Sequence, residues 1–323
     1  MHRRDLLRLL AASPLTAGAL PSLAQPGRYP DHAIRLVSPF AAGSTSDTSA
    51  RFIAQHLSIA LKQSVLVENQ PGADGRIGMM TVKNAPADGY TIVAGSWTNL
   101  AVNPILLKDL PYDPLKDFKP VAGIGRSMLG IAVSGKSEIK SLQQLLAAAR
   151  ARPRSLNFGN FGNGYRLAIE WFSQLAGVQF THVPYRTTTQ MNTDLAGKQI
   201  DAGMDGVTSM SALVKSGQLR LLAVTGEQRH TEFPDVPMLK ESYPDYVIYG
   251  WSALMVRSEV PDDITATLAD AVQRILASSE GRAFAAKVGS DLLNLKTGDM
   301  QKFQLAQIEQ LRQVAAAAGM KPE

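Results

Sequence analysis

Cysteine is absent from all 323 residues. That excludes thiol nucleophiles, cysteine-ligated zinc, iron–sulfur clusters and structural disulfides. Charge is also sparse, at 19% of residues, with 33 Lys and Arg against 28 Asp and Glu. No run of basic residues forms a stripe, so nucleic-acid binding has no electrostatic footprint. No apolar run reaches the ~18–20 residues that a membrane-spanning helix needs. The histidines beyond the first few residues are dispersed at positions 32, 56, 182 and 230, without the spacing of metal ligands. No G-x-S-x-G nucleophile elbow is present. The sequence thus offers no cofactor or metal motif and no catalytic one. It is not poor in apolar residues, however: 45% are hydrophobic, enough for a sizeable core without staples.

The chain begins Met1-His2-Arg3-Arg4-Asp5-Leu6-Leu7-Arg8, continues with a mildly apolar stretch to Leu20, and reaches Ser22-Leu23-Ala24. A charged head, a short apolar centre and a small-x-small end read as a secretory signal cleaved after Ala24. The Arg3-Arg4 pair suggests the twin-arginine route, against an ordinary secretory signal with two chance arginines. Removing 1–24 takes away three basic residues and one acidic residue, which lowers the net charge from +5 to +3.

From Ala33 onward, apolar runs alternate with helical spacing. Strands are predicted at Ile34–Ser38, Ser64–Glu68, Tyr90–Ala94, Gly130–Val133, Leu156–Phe158, Phe180–Val183, Ile200–Met204, Leu219–Val224 and Val247–Val256. Helices are predicted over Ser46–Lys62, and over Ser141–Arg150 with a Ser141/Gln144 capping box. Another carries Ala168, Trp171, Phe172 and Leu175 on one face and stops at Gly177. Pro261 opens a helix, and Asp299 is expected to cap the last one. The alternation predicts α/β layers with mostly parallel sheet. No structureless linker separates two halves, so the chain is expected to cross between two domains on strands, near Gly125 and Gly226. Domain one is then discontinuous, 25–125 plus 226–323, and domain two is 126–225.

Two turns sit between a strand and a helix, where open α/β sheets place ligands. In Pro39-Phe40-Ala41-Ala42-Gly43-Ser44-Thr45-Ser46-Asp47, small residues let backbone N–H groups approach an anion at a helix start. The same residues equally cap that helix. Gly159-Asn160-Phe161-Gly162-Asn163-Gly164 has the same placement, and either touches ligand or is a flexible turn. Asp205, at a strand end, either receives a ligand group or caps the next helix. Arg166 and Arg186 flank the expected crevice and offer bidentate carboxylate contacts or solvated surface charge.

In order along the chain, these fragments resemble the periplasmic substrate-binding proteins of tripartite tricarboxylate transporters, the Bug family. The resemblance rests on Pro39-Phe40, Gly43 and Asp47, and on Val67-Glu68-Asn69-Gln70-Pro71-Gly72-Ala73-Asp74-Gly75-Arg76-Ile77-Gly78. Further fragments are Pro86-Ala87-Asp88-Gly89-Tyr90-Thr91, Asn103-Pro104, Leu110 to Phe118, Leu156-Asn157-Phe158-Gly159, His182-Val183-Pro184-Tyr185 and Leu222-Ala223-Val224-Thr225. It implies an α/β, two-domain periplasmic binding protein of Venus-flytrap type II, each domain a mostly parallel sheet flanked by helices. It further implies capture of a small organic carboxylate in the interdomain cleft and delivery to membrane permease subunits, by a monomer without catalysis. By position, Ala42, Gly43, Ser44, Thr45 and Asp47 inherit the first ligand loop; Gly159, Asn160, Phe161, Gly162, Asn163 and Gly164 inherit the second; Asp205 matches the acidic strand-end residue. The alternative keeps the fold but makes the protein a ligand sensor that docks a membrane kinase. Departures from the family pattern include Asn160-Phe161 where small hydroxyl residues are usual, Tyr165-Arg166 after Gly164, and Tyr185-Arg186-Thr187. The resulting expectation is that Phe161, Tyr165 and Arg166 favour an aromatic or bulky carboxylate. A preference for short aliphatic diacids, unaffected by Arg166→Ala, contradicts it.

Overall fold

The computed structural model describes residues 29–323. The proposed signal, 1–24, lies outside the described residues. The first elements are β1 (Ile34–Ser38), α1 (Thr45–Leu61), β2 (Val65–Asn69), α2 (Arg76–Lys83), β3 (Thr91–Ser96) and α3 (Asn103–Leu106). β4 (Phe118–Ser134) follows, then α4 (Leu142–Ala151), β5 (Asn157–Phe161), α5 (Gly162–Ala176), β6 (Thr181–Tyr185), α6 (Thr188–Ala196), β7 (Ala202–Gly206), α7 (Val207–Lys215) and β8 (Leu219–Val224). β9 (Tyr249–Arg257), α8 (Asp262–Ala277), α9 (Ser279–Lys287), β10 (Ser290–Leu292) and α10 (Thr297–Ala317) complete the chain.

The strands run in the order β2-β1-β3-β9-β4-β7-β5-β6, with β8 and β10 also paired to β4. The sheet is not mostly parallel. β1 is parallel to β2 and β3, and β5 to β6 and β7, but every pairing of β4 and β9 is antiparallel. Two parallel trios therefore flank an antiparallel centre. The centre is antiparallel because β4 and β9 are long strands that run back through the middle without crossover helices of their own.

β4 is the organising element. Its residues 118–128 pair with β9, and residues 129–134 pair with β7 and β8. Instead of the expected short strand at Gly130–Val133, 17 residues form one strand. Register shifts at Pro120/Ala122, Gly123/Gly125 and Ile131/Ala132 let so long a strand twist. Its glycines are places of close approach. A Cβ on Gly123 would lie 2.9 Å from the Met300 sulfur, and one on Gly130 2.7 Å from a Leu221 methyl. Where β4 changes partners, buried Thr225 ties the strands. Its Oγ1 accepts from the Leu129 N–H at 2.9 Å and donates to the Ile248 carbonyl at 2.6 Å.

Helix α1 exposes why its sequence folds this way. Ala50, Ile53, Ala54 and Leu57 form one stripe, buried against Ile34 and Leu36 of β1 and Leu268 and Val272 of α8. Each large side chain so buried contributes ~1.5–3 kcal/mol. In α5 the buried stripe ends with Ala176 rather than Leu175, which is 37% exposed. Gly177, at φ 62°, ends that helix: its N–H reaches the Gln174 carbonyl, and the Val178 N–H reaches that of Ser173. Ser141 Oγ caps α4 by accepting from the Gln144 N–H, but the Gln144 side chain accepts from Lys140, so the capping box is half made. Asp299 does not cap α10: Lys296 holds that position and Asp299 sits in the first turn.

Candidate functional site

Four helices begin where a strand ends, and their N-termini converge: α1 after β1, α5 after β5, α6 after β6 and α7 after β7. Ser44, Thr45 and Ser46 from the first, Phe161 and Tyr165 from the second, Thr188 from the third and Gly206 from the fourth line one inner slot of about 50 Å³. The opposite wall is Ser96, Trp97 and Thr98 at the end of β3, Ser127 and Leu129 of β4, Gly250, Trp251 and Ser252 of β9, and Ser290 of β10. Among the described residues, no Asp, Glu, Lys or Arg lines this slot.

Two hydroxyls on the wall, those of Thr45 and Ser96, have no partner. Ser96 is 5% exposed. An unpaired buried donor costs ~1–3 kcal/mol, so this pair favours acceptors placed in the slot. The N–H groups of Thr45 and Ser46, first in α1, have no intrahelical acceptor either. The arrangement suits an anion held by neutral donors and helix dipoles.

A larger outer cavity of about 600 Å³ adjoins the slot. Phe40, Ala41, Pro71, Asp74, Gly162 and Arg186 are among its walls. Phe40 and Phe161 belong to both spaces and meet edge to face, with ring centres 5.5 Å apart. Phe161 lies 6.3 Å from Tyr165, and Tyr165 5.9 Å from Trp97. The slot alone holds a few waters; an organic acid needs both spaces or an opened cleft.

The first loop is closed on itself. Ser44 caps α1 through the Asp47 N–H, at 3.2 Å. The buried Asp47 carboxylate accepts from the Gly43 N–H at 2.9 Å, Asn69 Nδ2 at 2.7 Å and Arg51 Nε at 3.0 Å. Burial alone would raise its pKa; Asn69, the Gly43 N–H and Arg51 together hold it below the ordinary value. Asp47 therefore braces the loop, the Gly43 N–H is already committed, and neither Ala42, Gly43 nor Asp47 lines the slot or the outer cavity.

The second stretch is not a loop. β5 runs through Phe161, and α5 starts at Gly162, which has φ 70°. Gly159 and Asn160 are ladder residues. A Cβ on Gly159 would lie 2.5 Å from Ile200, so glycine here serves packing. A Cβ on Gly164 would lie 2.7 Å from both the Trp97 ring and the Thr98 hydroxyl, so this glycine lets α5 press against the far wall. Of this stretch, Phe161 and Gly162 reach the cavities. Asn163 instead bonds Asn103 at 3.3 Å.

Asp205 is fully buried inside β7, and Gly206 rather than Asp205 holds the N-cap position of α7. Its oxygens accept from Asn192 Nδ2 at 2.9 Å and the Gly206 N–H at 2.7 Å. Burial pushes its pKa up to about 6, against hydrogen bonds from Ser209, Asn192, Gly206 and Tyr165. It stands behind the slot wall and holds Tyr165 in place. Arg166 does not add a cation to the pocket. Its guanidinium pairs with the Glu323 carboxylate at 2.8 and 3.3 Å. The exposed Arg186 does line the outer cavity. Sequence reasoning missed Trp97, Ser127, Trp251, Ser252 and Ser290. Their signal was polar residues within strands that are otherwise buried.

A strand-end cleft ringed by helix N-termini, with neutral donors and no catalytic constellation, defines a solute-binding protein with a mixed α/β fold of the periplasmic-binding kind. The chain belongs to the tripartite tricarboxylate transporter family of receptors, whose family model matches residues 49–320. A curated relative, a UPF0065 protein of Bordetella bronchiseptica, is 32% identical over 327 residues, covering 99% of this chain and 98% of its own. Among solved structures, R. palustris Rpa4515 with adipate is 32% identical, with a TM-score of 0.88 over 91% of this chain and 100% of the other. MatC from Rhodopseudomonas palustris with bound malate is 25% identical, with a TM-score of 0.83 over 88% and 99% of the two chains.

Proposed function

We infer that this protein captures a small organic carboxylate between two lobes and hands it to the membrane permease of a tripartite tricarboxylate-type transporter. The lobes are residues 25–125 with 226–323, and residues 126–225. The strands that cross near Gly125 and Gly226 act as the hinge, stitched by Thr225. The protein works in the periplasm as a monomer, after residues 1–24 are removed, and performs no catalysis. Contacts from both lobes to one ligand stabilise the closed form over the open one.

The observation that carries this reading is the slot itself: four helix N-termini and two unpartnered hydroxyls, with no charged side chain among its walls in the described residues. The adipate and malate held by the two related structures are carboxylates of suitable size. A thermal-shift screen of the purified protein against aliphatic, hydroxy and aromatic acids tests it. A ligand that binds only the folded state raises the melting temperature. The hit should weaken about tenfold or more on Ser96→Ala or Thr45→Ala, each of which removes one slot hydroxyl. A hit that ignores both substitutions would place the ligand elsewhere.

A further inference from the structure

The outer cavity contains a carboxylate of the protein's own. Asp74 follows β2 in a tight turn at φ 54°, ψ 39°, and its backbone carbonyl accepts from Asn103 Nδ2 at 3.0 Å. Its side chain reaches across the cleft. A Cβ placed on Gly162 would lie 3.1 Å from Asp74 Oδ1, so the carboxylate sits against the N-terminus of α5. Among the described residues, no side-chain donor bonds to it. Burial raises its pKa, partly offset by Arg76, the Asn163 N–H and Arg166.

One consequence concerns the helix end. The positive end of α5 is a resource for anion binding, and here a tethered anion already uses it. Another concerns what a ligand meets. With its carboxylate among the neutral donors of the slot, a ligand passes Phe40 and Phe161 and enters the space that Asp74 lines. A second carboxylate there faces a half-buried like charge, whose cationic neighbours Arg76 and Arg166 do not line the cavity. The one cation on that wall, Arg186, is exposed and screened.

We propose that Asp74 is a specificity-determining residue that excludes dicarboxylates and selects monocarboxylates whose far end is neutral or a hydrogen-bond donor. This rests on the carboxylate-capture reading and narrows it. Only an αL-tolerant residue fits the turn, and Asn is one, so Asp74→Asn removes the charge while keeping the backbone.

The test titrates wild type and Asp74→Asn with matched pairs that differ by one carboxylate: butyrate and succinate, hexanoate and adipate, benzoate and terephthalate. A further ligand, 6-aminohexanoate, carries a cationic far end. Trp97 in the slot supplies a fluorescence readout, checked by calorimetry. In the pairs that bind, wild type should prefer the monocarboxylate by about tenfold or more, the scale of a like-charge contact in a partly buried site. Asp74→Asn should raise dicarboxylate affinity relative to the matched monocarboxylate by a similar factor and weaken 6-aminohexanoate. Dicarboxylates bound by wild type as tightly as their partners, with no change on Asp74→Asn, would overturn the role of Asp74 alone. Failure of every acid to bind either protein would instead overturn the carboxylate-capture reading.

Discussion

Replacing Asp47 by alanine should damage stability more than it damages the chemistry of the site. The carboxylate accepts from the Gly43 N–H, Asn69 and Arg51, and the residue is 2% exposed. A hydrogen bond to a charged group is worth ~1.5–3 kcal/mol. The Arg51 bond counts for less, ~0–1 kcal/mol, because that side chain is half-exposed. Two part-buried bonds and one weak one sum to about 3–7 kcal/mol, at or beyond the upper end for single substitutions. Urea unfolding followed by tryptophan fluorescence reads it directly. The pH dependence supplies an independent check. Because the native pKa of Asp47 is lowered, its contribution is complete above the unfolded value of ~3.9 and is lost as pH falls through the depressed native one. Asp47→Asn should therefore show a shallower stability loss than wild type below about pH 4. An Asp47→Ala protein with an unmoved urea midpoint and abolished ligand binding would refute the bracing role and make Asp47 a ligand contact.

Asp205 titrates in the opposite sense. Its native pKa of about 6 lies above the ordinary carboxyl value of 3.8, so the protein should lose up to ~3 kcal/mol as pH rises from about 4 to 7; Asp205→Asn should flatten that slope in urea midpoints taken at pH 4.5 and 7. Thr225→Val removes a hydroxyl that serves two buried backbone groups, so a destabilisation of about 2–3 kcal/mol is expected. A neutral result in denaturant titration would show that water takes its place. Phe40→Ala breaks the edge-to-face contact with Phe161, worth ~0.5–1.5 kcal/mol beyond area burial. Small-angle scattering of the unliganded variant should then report a larger radius of gyration than wild type.

Much of the fold was legible because each element declared itself locally. β1 and β8 match their apolar runs, and α1 starts one residue before its predicted position. β4 was hidden by Lys119, Pro120, Gly123, Gly125 and Arg126, which read as strand breakers or surface residues. They are tolerated because β9 and β10 supply the pairing and because Gly123 and Gly125 admit Met300 and Ser290. The Gly159–Phe161 segment read as a turn for the same reason: turn residues are recognised by type, whereas here flanking β6 and β7 hold them extended. The site was legible where consecutive residues build it, at Ser44 and Thr45 and again at Phe161, Gly162 and Tyr165. Its other wall is assembled from Trp97, Ser127, Trp251 and Ser290, and no spacing rule links residues so far apart. Asp74 lay inside a recognisable motif, but only the fold shows that its side chain faces Gly162.

The place of β9 has a consequence for how the chain comes to be folded at all. It inserts between β3 and β4, which are adjacent in sequence, although it is made more than a hundred residues after both. Until β9 emerges from the ribosome, β3 keeps a bare edge and β4 lacks its longest partner. An emerging chain with such long-range pairing folds late. A ribosome stalled before residue 249 should accordingly present a nascent chain that proteases digest readily.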